Sequence, residues 1–214
     1  MPTEIEEATA AALQALGSAT LGESGGLPTD RRLKAAWSGA RLAAPAYPVG
    51  CTPGDNLALH VAVTTAPAGS VLVVDVGQVP DRGYWGEVLT TAAEAAGLRG
   101  LIIDGGVRDV AALEAHGFPV FSSTVALSGA TKNQRGTVGG PVKVGGVEAS
   151  LGDWVVGDVD GVVIVPGSVL ETVISAGKER EAKEQGFFAA LKSGQTTVQL
   201  LGLDPSQITV VRQG

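Results

Sequence analysis

The sequence predicts an α/β fold: a parallel βαβ layer, antiparallel strands after it, and a helix at each end. Three observations predict it. Val71-Leu72-Val73-Val74-Asp75-Val76 and Gly100-Leu101-Ile102-Ile103-Asp104 are almost unbroken apolar runs, as strands buried on both faces must be. Each is followed by a segment of helical composition that stops at a glycine, Gly97 or Gly117, and alternating strands and helices build a parallel layer. From Val142 to Val165, short Val-rich runs are separated by Gly-Gly, Gly-Asp and Asp-Gly, the punctuation of antiparallel hairpins.

The elements follow in order. Ile5, Ala8, Ala12, Leu13 and Leu16 recur at helical spacing, and Gly17 is the expected stop. Gly22 to Pro28 reads as a loop, and Thr29 or Asp30 as the cap of a second short helix through Leu33 and Trp37. Ala40 to Val49 alternates weakly and reads as a strand. Pro53-Gly54-Asp55-Asn56 reads as a turn and helix cap before Leu57 to Val63. After the Val71 strand, a loop runs from Gly77 to Gly83 and a helix from Glu87 to Ala96. The Gly100 strand is expected to turn at Gly105-Gly106 and lead into a helix from Asp109 to Ala115. Pro119-Val120-Phe121 is a further short strand. Ser128 to Gly140 is polar and glycine-rich, an ordered loop or a bulged hairpin. Val142–Val144, Val147–Ala149, Trp154–Val156 and Val162–Val165 are the antiparallel strands, and a long helix spans about 168–192 before a short tail. No repeat or linker divides the chain. One domain is expected over 1–214, with helices in 3–38, a core of about 39–166 and the C-terminal helix.

Composition narrows the function. With 44% hydrophobic residues but only 4% aromatics, the core must be built from Val, Leu, Ile and Ala. The net charge of −7, without any basic cluster, argues against a nucleic-acid partner. An anionic substrate would have to be drawn in by local positive charge. Cys51 is the only cysteine, which excludes an intramolecular disulfide and a cysteine-based zinc site. The start, Met1 to Glu7, is acidic and unlike a secretory signal. No apolar run approaches the ~20 residues that span a bilayer. The expectation is a cytoplasmic protein without a membrane partner.

Two strand-to-helix turns carry the candidate site: Gly83-Tyr84-Trp85-Gly86-Glu87-Val88-Leu89 and Asp104-Gly105-Gly106-Val107-Arg108-Asp109. Ligands of α/β sheets bind beyond the carboxyl ends of strands, where both turns lie. Taken singly, Asp109 and Glu87 are ordinary helix N-terminal acids and Arg108 an ordinary surface cation. Together they can do more. A hard divalent cation keeps several waters, so one or two carboxylates suffice to hold it. The Arg fork matches carboxylate or keto-enolate oxygens. The helix-opening amides of Val88 and Leu89 can bind an anion.

Glu87 followed, after twenty residues, by Arg108-Asp109, within Gly-Glu-Val-Leu and Asp-Gly-Gly-Val-Arg-Asp-Val, resembles one known family. It is the RraA-like family, which joins class II 4-hydroxy-4-methyl-2-oxoglutarate aldolases with the regulator of ribonuclease activity A. Gly54 to His60, Gly117 to Phe121, Pro141 to Val147 and Asp158 to Pro166 extend the likeness from about Gly39 to Glu184. Members are often labelled demethylmenaquinone methyltransferases, but no glycine-rich S-adenosylmethionine loop is evident here. The resemblance implies a swivelling β/β/α fold, a homotrimer or homohexamer, and an active site between subunits. It implies that Asp109 ligates Mg²⁺ or Mn²⁺, that Glu87 acts through water on the metal, and that Arg108 holds the keto oxygen and stabilises an enolate. Gly86, with the Val88 and Leu89 amides, would hold the substrate carboxylate. The family pattern has a further acid three residues after the aspartate, where this chain has Ala112 and then Glu114 two places on.

The family's aldolases also borrow a glutamate from a neighbouring C-terminal helix. Leu170, Ile174, Gly177, Phe188 and Leu191 share one helical face, with Glu184 near its middle and Glu181 at its edge. Glu184 is therefore the first candidate and Glu181 the second. A salt bridge of Glu184, with Arg180 as a candidate partner, is an equal alternative. His60 reads as a packed histidine, and His116 as a cation at a helix end. Nothing marks Lys132 or Lys143 as a Schiff-base lysine. Asp153, Asp158 and Asp160 read as turn residues. The implied activity is metal-dependent C–C cleavage of a small 2-oxo acid, by aldol cleavage or oxaloacetate decarboxylation. The alternative is a non-enzymatic, protein-binding regulator of ribonuclease activity.

Overall fold

A computed structural model of the chain describes residues 3–211. The single domain expected over 1–214 therefore includes Met1, Pro2 and residues 212–214, which lie outside the described residues. The chain opens with α1 (Glu4–Glu23), two short strands, β1 (Leu27–Pro28) and β2 (Lys34–Ala35), and the long β3 (Leu42–Cys51). Then come α2 (Leu57–Thr65), β4 (Val71–Asp75), β5 (Gly83–Trp85), α3 (Glu87–Ala95), β6 (Gly100–Val107), α4 (Val110–His116) and β7 (Val120–Val125). The rest is β8 (Gly136–Val138), β9 (Val142–Val144), β10 (Val147–Ala149), β11 (Trp154–Gly157), β12 (Val162–Val165), α5 (Leu170–Lys192) and α6 (Thr197–Leu200).

β3, β4, β6 and β7 lie side by side in parallel, linked by α2, α3 and α4. The N-terminal half of β3 also pairs antiparallel with β11, which pairs with β12 and then β1. One curled sheet thus runs from β1 to β2. Its two edges are only a few residues apart in sequence, so at ~3.6 Å per residue they cannot separate by more than about 22 Å.

Alternation assigns each side chain to a layer. Leu72, Val74, Leu101 and Ile103 face α2, α3 and α4. Val71, Val73 and Ile102 face inward against Val155, Val162 and Ile164, where the β9–β10 hairpin and Leu33 complete the cluster. Trp154, Val156, Val163 and Val165 face outward against Leu13, Leu16 and Leu21 of α1 and Val173 of α5. The β/β/α layering is present, with the terminal helices forming a fourth layer. No described helix is long and apolar enough to cross a membrane.

Several expectations are corrected. Residues 29–37 form no helix: Asp30 Oδ1 accepts from Arg32 N–H at 2.9 Å to make a tight turn. The chain then continues as β2, Leu33 is buried, and Trp37 Nε1–H donates to Phe118 O at 2.9 Å. Gly105-Gly106 is no turn, because β6 continues through it, with a shift in its register against β7 between Ile103 and Gly106. A Cβ at Gly105 would lie 2.7 Å from Val76 Cγ2, and one at Gly106 would overlap Arg82 O. These glycines allow close approach within a sheet. The stop expected at Gly17 is present, at φ +75°, but a second helical stretch begins directly after it and completes α1. β8 pairs with β3 inside the segment expected as a loop or hairpin. On α5, Arg180, Glu184, Phe187 and Leu191 continue the buried stripe of Val173 and Gly177, whereas Phe188 and Glu181 point outward.

Candidate active site

A cavity of about 210 Å³ opens at the carboxyl ends of β5 and β6. Its wall includes Gly86, Val88, Leu89, Arg108 and Asp109, so the structure brings both predicted turns to one place. β5 and β6 pair in parallel, and Arg108 N–H donates to Trp85 O at 2.9 Å, which fixes one turn against the other. Asp109 Oδ2 accepts from Glu87 N–H at 3.2 Å and lies 3.7 Å from Arg108 Nε.

Asp109 is the only non-glycine residue with positive φ among the described residues, at +57°. It sits at the N-cap position of α4 but makes no side-chain cap there. The capping alternative therefore fails, and the carboxylate points across to the other turn. A strained backbone of this kind persists only where surrounding contacts over-determine it, and it clusters at functional sites.

The first hydrogen bond within α3 is Thr90 N–H to Gly86 O, at 3.1 Å. The amides of Val88 and Leu89 precede any helical acceptor, as at every helix start. Both residues line the cavity. Trp85 is buried, stacks on Phe118 at 6.1 Å between centroids, and donates from Nε1–H to Thr90 Oγ1 at 2.7 Å. It makes a rigid apolar wall.

Glu87 lies beside the cavity rather than in its lining. Its carboxylate is 57% exposed and stands 3.7 Å from His116 Nε2. Glu181 and Glu184 do not meet Arg108 within one chain. Glu184 Oε1 pairs with Arg180 Nε at 3.0 Å and borders a separate groove with Ser18, Asp30 and Arg31. Arg180 also pairs with Glu23. The structure thus contains the alternative salt bridge for Glu184.

Three lining residues were given no part in the site by the sequence reading. Asn56, His60 and Lys132 face the two turns from the far wall. Asn56 is buried and donates from Nδ2–H to Tyr84 O at 2.7 Å, leaving Oδ1 without a partner among the described residues. His60 Nε2 is likewise buried and unpartnered. Burial, with a contribution from Lys132, lowers the His60 pKa, although Asp55 opposes the shift. The neutral imidazole is therefore favoured near neutral pH. Orphaned buried polar atoms are uncommon and expensive, and here both lie on one cavity wall. In the sequence Gly54 to His60 reads as cap and packing and contributes to the family likeness, but burial cannot be read from a lone His or Asn.

Among the described residues no group of three or more His, Cys, Asp or Glu is placed to hold a metal ion. A closed zinc-type cage does not fit. Asp109 beside Glu87 fits a hard cation that keeps most of its waters. Burial pushes Cys51 up to about 12, so the thiol stays protonated. Asp153 and Asp158 are turn residues as expected, accepting from the Ser150 and Asp160 amides respectively.

Comparison with known proteins agrees with the fold. A candidate 4-hydroxy-4-methyl-2-oxoglutarate aldolase of Halalkalibacterium halodurans is 32% identical over 145 residues, 68% of this chain and 69% of that protein. A solved structure from Pseudomonas syringae pv. tomato aligns with a TM-score of 0.78 at 26% identity, covering 92% of this chain and 98% of that one. Streptomyces coelicolor RraAS2, described as an unusual member of the RNase ES inhibitor RraA family, aligns at 0.73 and 26% identity, covering 86% and 96%. The RraA-like family pattern, Aldolase/RraA, matches residues 9–164, and the chain belongs to that family.

Proposed function

We propose that the protein is a divalent-metal-dependent lyase that cleaves C–C bonds of small 2-oxo acids and releases pyruvate. Substrates would be 4-hydroxy-4-methyl-2-oxoglutarate, 4-carboxy-4-hydroxy-2-oxoadipate and oxaloacetate. The observation that carries this reading is the convergence of Arg108, Asp109 and the free amides of Val88 and Leu89 on one cavity. The amides bind the carboxylate next to the 2-oxo group, with the positive end of α3 behind them. The Arg108 fork takes the 2-oxo oxygen and the negative charge that develops there on cleavage. Lys132 and the unpartnered Asn56 Oδ1 and His60 Nε2 face the far end of the substrate. Mg²⁺ or Mn²⁺ held by Asp109, with Glu87 beside it, would add Lewis-acid charge at the 2-oxo group.

Aldol cleavage needs a base for the 4-hydroxyl proton. As that proton leaves, the C3–C4 bond breaks and its electrons pass to the 2-oxo oxygen, giving the pyruvate enolate. Glu184 of a neighbouring copy in a trimer or hexamer is the proposed base, acting directly or through water, with Glu181 second. Oxaloacetate decarboxylation gives the same enolate by loss of CO₂ and needs no base. The test is pyruvate release from both substrates with Mg²⁺, in the unaltered protein and in Asp109→Ala. Activity that survives the substitution unchanged, or no activity at all, would sink the reading.

The likeness to RraAS2 favours a second reading, a regulator that binds a ribonuclease. A pull-down with a ribonuclease beside a Mn²⁺ titration separates the two. Ribonuclease binding without metal affinity selects the regulator.

A further inference from the structure

Asp55 has no role in the chemistry above, yet it is only 2% exposed, directly before the cavity-lining Asn56. Oδ1 accepts from Leu57 N–H at 2.8 Å, at the start of α2. Oδ2 accepts from Thr131 Oγ1–H and Asn133 N–H, both at 2.7 Å, and from Gln134 N–H at 3.2 Å. No cation pairs with Asp55 among the described residues, so these donors alone stabilise the buried charge.

The three donors to Oδ2 belong to a segment with no regular structure of its own, between the end of β7 at Val125 and the start of β8 at Gly136. Backbone groups outside helices and sheets still need partners, and this segment finds several of them at Asp55 and its neighbours. Thr131 N–H donates to Gly54 O and Asn56 N–H to Thr131 O, both at 2.9 Å. The same segment forms the cavity wall through Gly129, Ala130 and Lys132. A Cβ at Gly129 would stand 3.5 Å from Arg108 Nη1, so the wall passes directly over the guanidinium.

We propose that Asp55 is a positioning residue: its carboxylate clamps the 129–134 wall against α2 and so holds Lys132 where it meets the far end of the substrate. The part concerning substrate rests on the lyase reading; the clamp itself does not. Removing the charge frees three donors of the wall at once, whereas the central sheet is untouched.

The experiment compares Asp55→Asn, Thr131→Val, Lys132→Ala and the Asp55→Asn/Lys132→Ala double variant in the full chain. Hydrogen exchange of the ligand-free protein is expected to speed up at 129–134 by about tenfold or more in Asp55→Asn, with 71–75 and 100–104 unchanged. KM for oxaloacetate is expected to rise about tenfold in Asp55→Asn and similarly in Lys132→Ala, with kcat much less affected. The double variant should be no worse than the poorer single one, as two residues acting through one position require. Thr131→Val keeps the carboxylate and shows the same pattern in smaller size, which decides the matter if Asp55→Asn does not fold. Protection retained at 129–134 in both variants overturns the clamp, as does protection lost equally in the central strands. Additive effects on KM overturn the link to Lys132. If the unaltered protein releases no pyruvate, the lyase reading has failed, and hydrogen exchange alone still decides the clamp.

Discussion

Gly86 is the residue on which the two turns depend most closely. Its φ of −168° is ordinary extended backbone, so conformation does not require glycine there. Space does: a Cβ would overlap Asp109 Oδ2 and stand 3.1 Å from Arg108 Cγ. Gly86→Ala is therefore expected to displace both functional side chains. Both are more than 40% exposed and can swing aside, so the fold should persist. Urea unfolding should change by about 1 kcal/mol or less, in the range of surface substitutions. Pyruvate release should fall about a hundredfold, the scale of an ångström-sized misplacement. An alanine variant with full activity would show that the side chains need not converge. That the turns carrying Glu87, Arg108 and Asp109 meet was legible in the sequence, because both follow strands of one parallel layer. The far wall was not. Asn56 and His60 stand in a run that reads equally well as helix start and core, and only their orphaned atoms distinguish them.

At the scale of elements, side-chain acceptors decide where helices begin and break. α1 breaks at Gly17, and Asp158 restarts it, accepting from Ser18 N–H at 2.7 Å and Ser18 Oγ–H at 2.5 Å. Burial raises the Asp158 pKa, but its bonds from Ser18, Asp160 and Gly161 outweigh that and hold it below the ordinary value. A carboxylate depressed in the folded state contributes stability that is complete above its unfolded pKa of about 3.9. That contribution is lost as pH falls through the folded value. Asp158→Asn is expected to cost about 1 kcal/mol at neutral pH, as loss of a cap does. The gap between the two proteins should narrow below about pH 4. Denaturant unfolding from pH 3 to 7 measures it, and a gap independent of pH would refute the charge argument. The sequence marked Gly17 as a stop but could not show the restart, because the acceptor comes from a turn 140 positions away. Residues 29–37 misled for a related reason. Asp30 resembles a cap, but β7 offers Lys34 and Ala35 a free edge to pair with. Short strands that close a sheet carry too little periodicity to announce themselves.

For the whole molecule, one chain contains the Arg108 cavity but does not bring a glutamate of α5 to it. Beyond Phe188 the C-terminal end exposes Leu201, Leu203, Ile208, Val210 and Val211, apolar surface that an assembly would cover. The parallel layer was legible because an unbroken apolar run, as at 71–76 and 100–104, is a local sign of a strand covered on both faces; assembly was not, because it depends on which surfaces meet. If the proposed site lies between copies, each chain gives Arg108 to one site and Glu184 to the next. Arg108→Ala and Glu184→Gln should each be inactive in aldol cleavage while still sedimenting as the unaltered protein does. Only Arg108→Ala should lose oxaloacetate decarboxylation, which needs no base. Co-expressed in equal amounts, the two variants should form mixed rings in which about a quarter of the sites regain both groups, as random closure of a cyclic assembly requires. Aldol cleavage should then recover to that fraction. Mixed assemblies that remain inactive would place the base within a single chain, and the Arg180–Glu184 pair would be a structural salt bridge and nothing more.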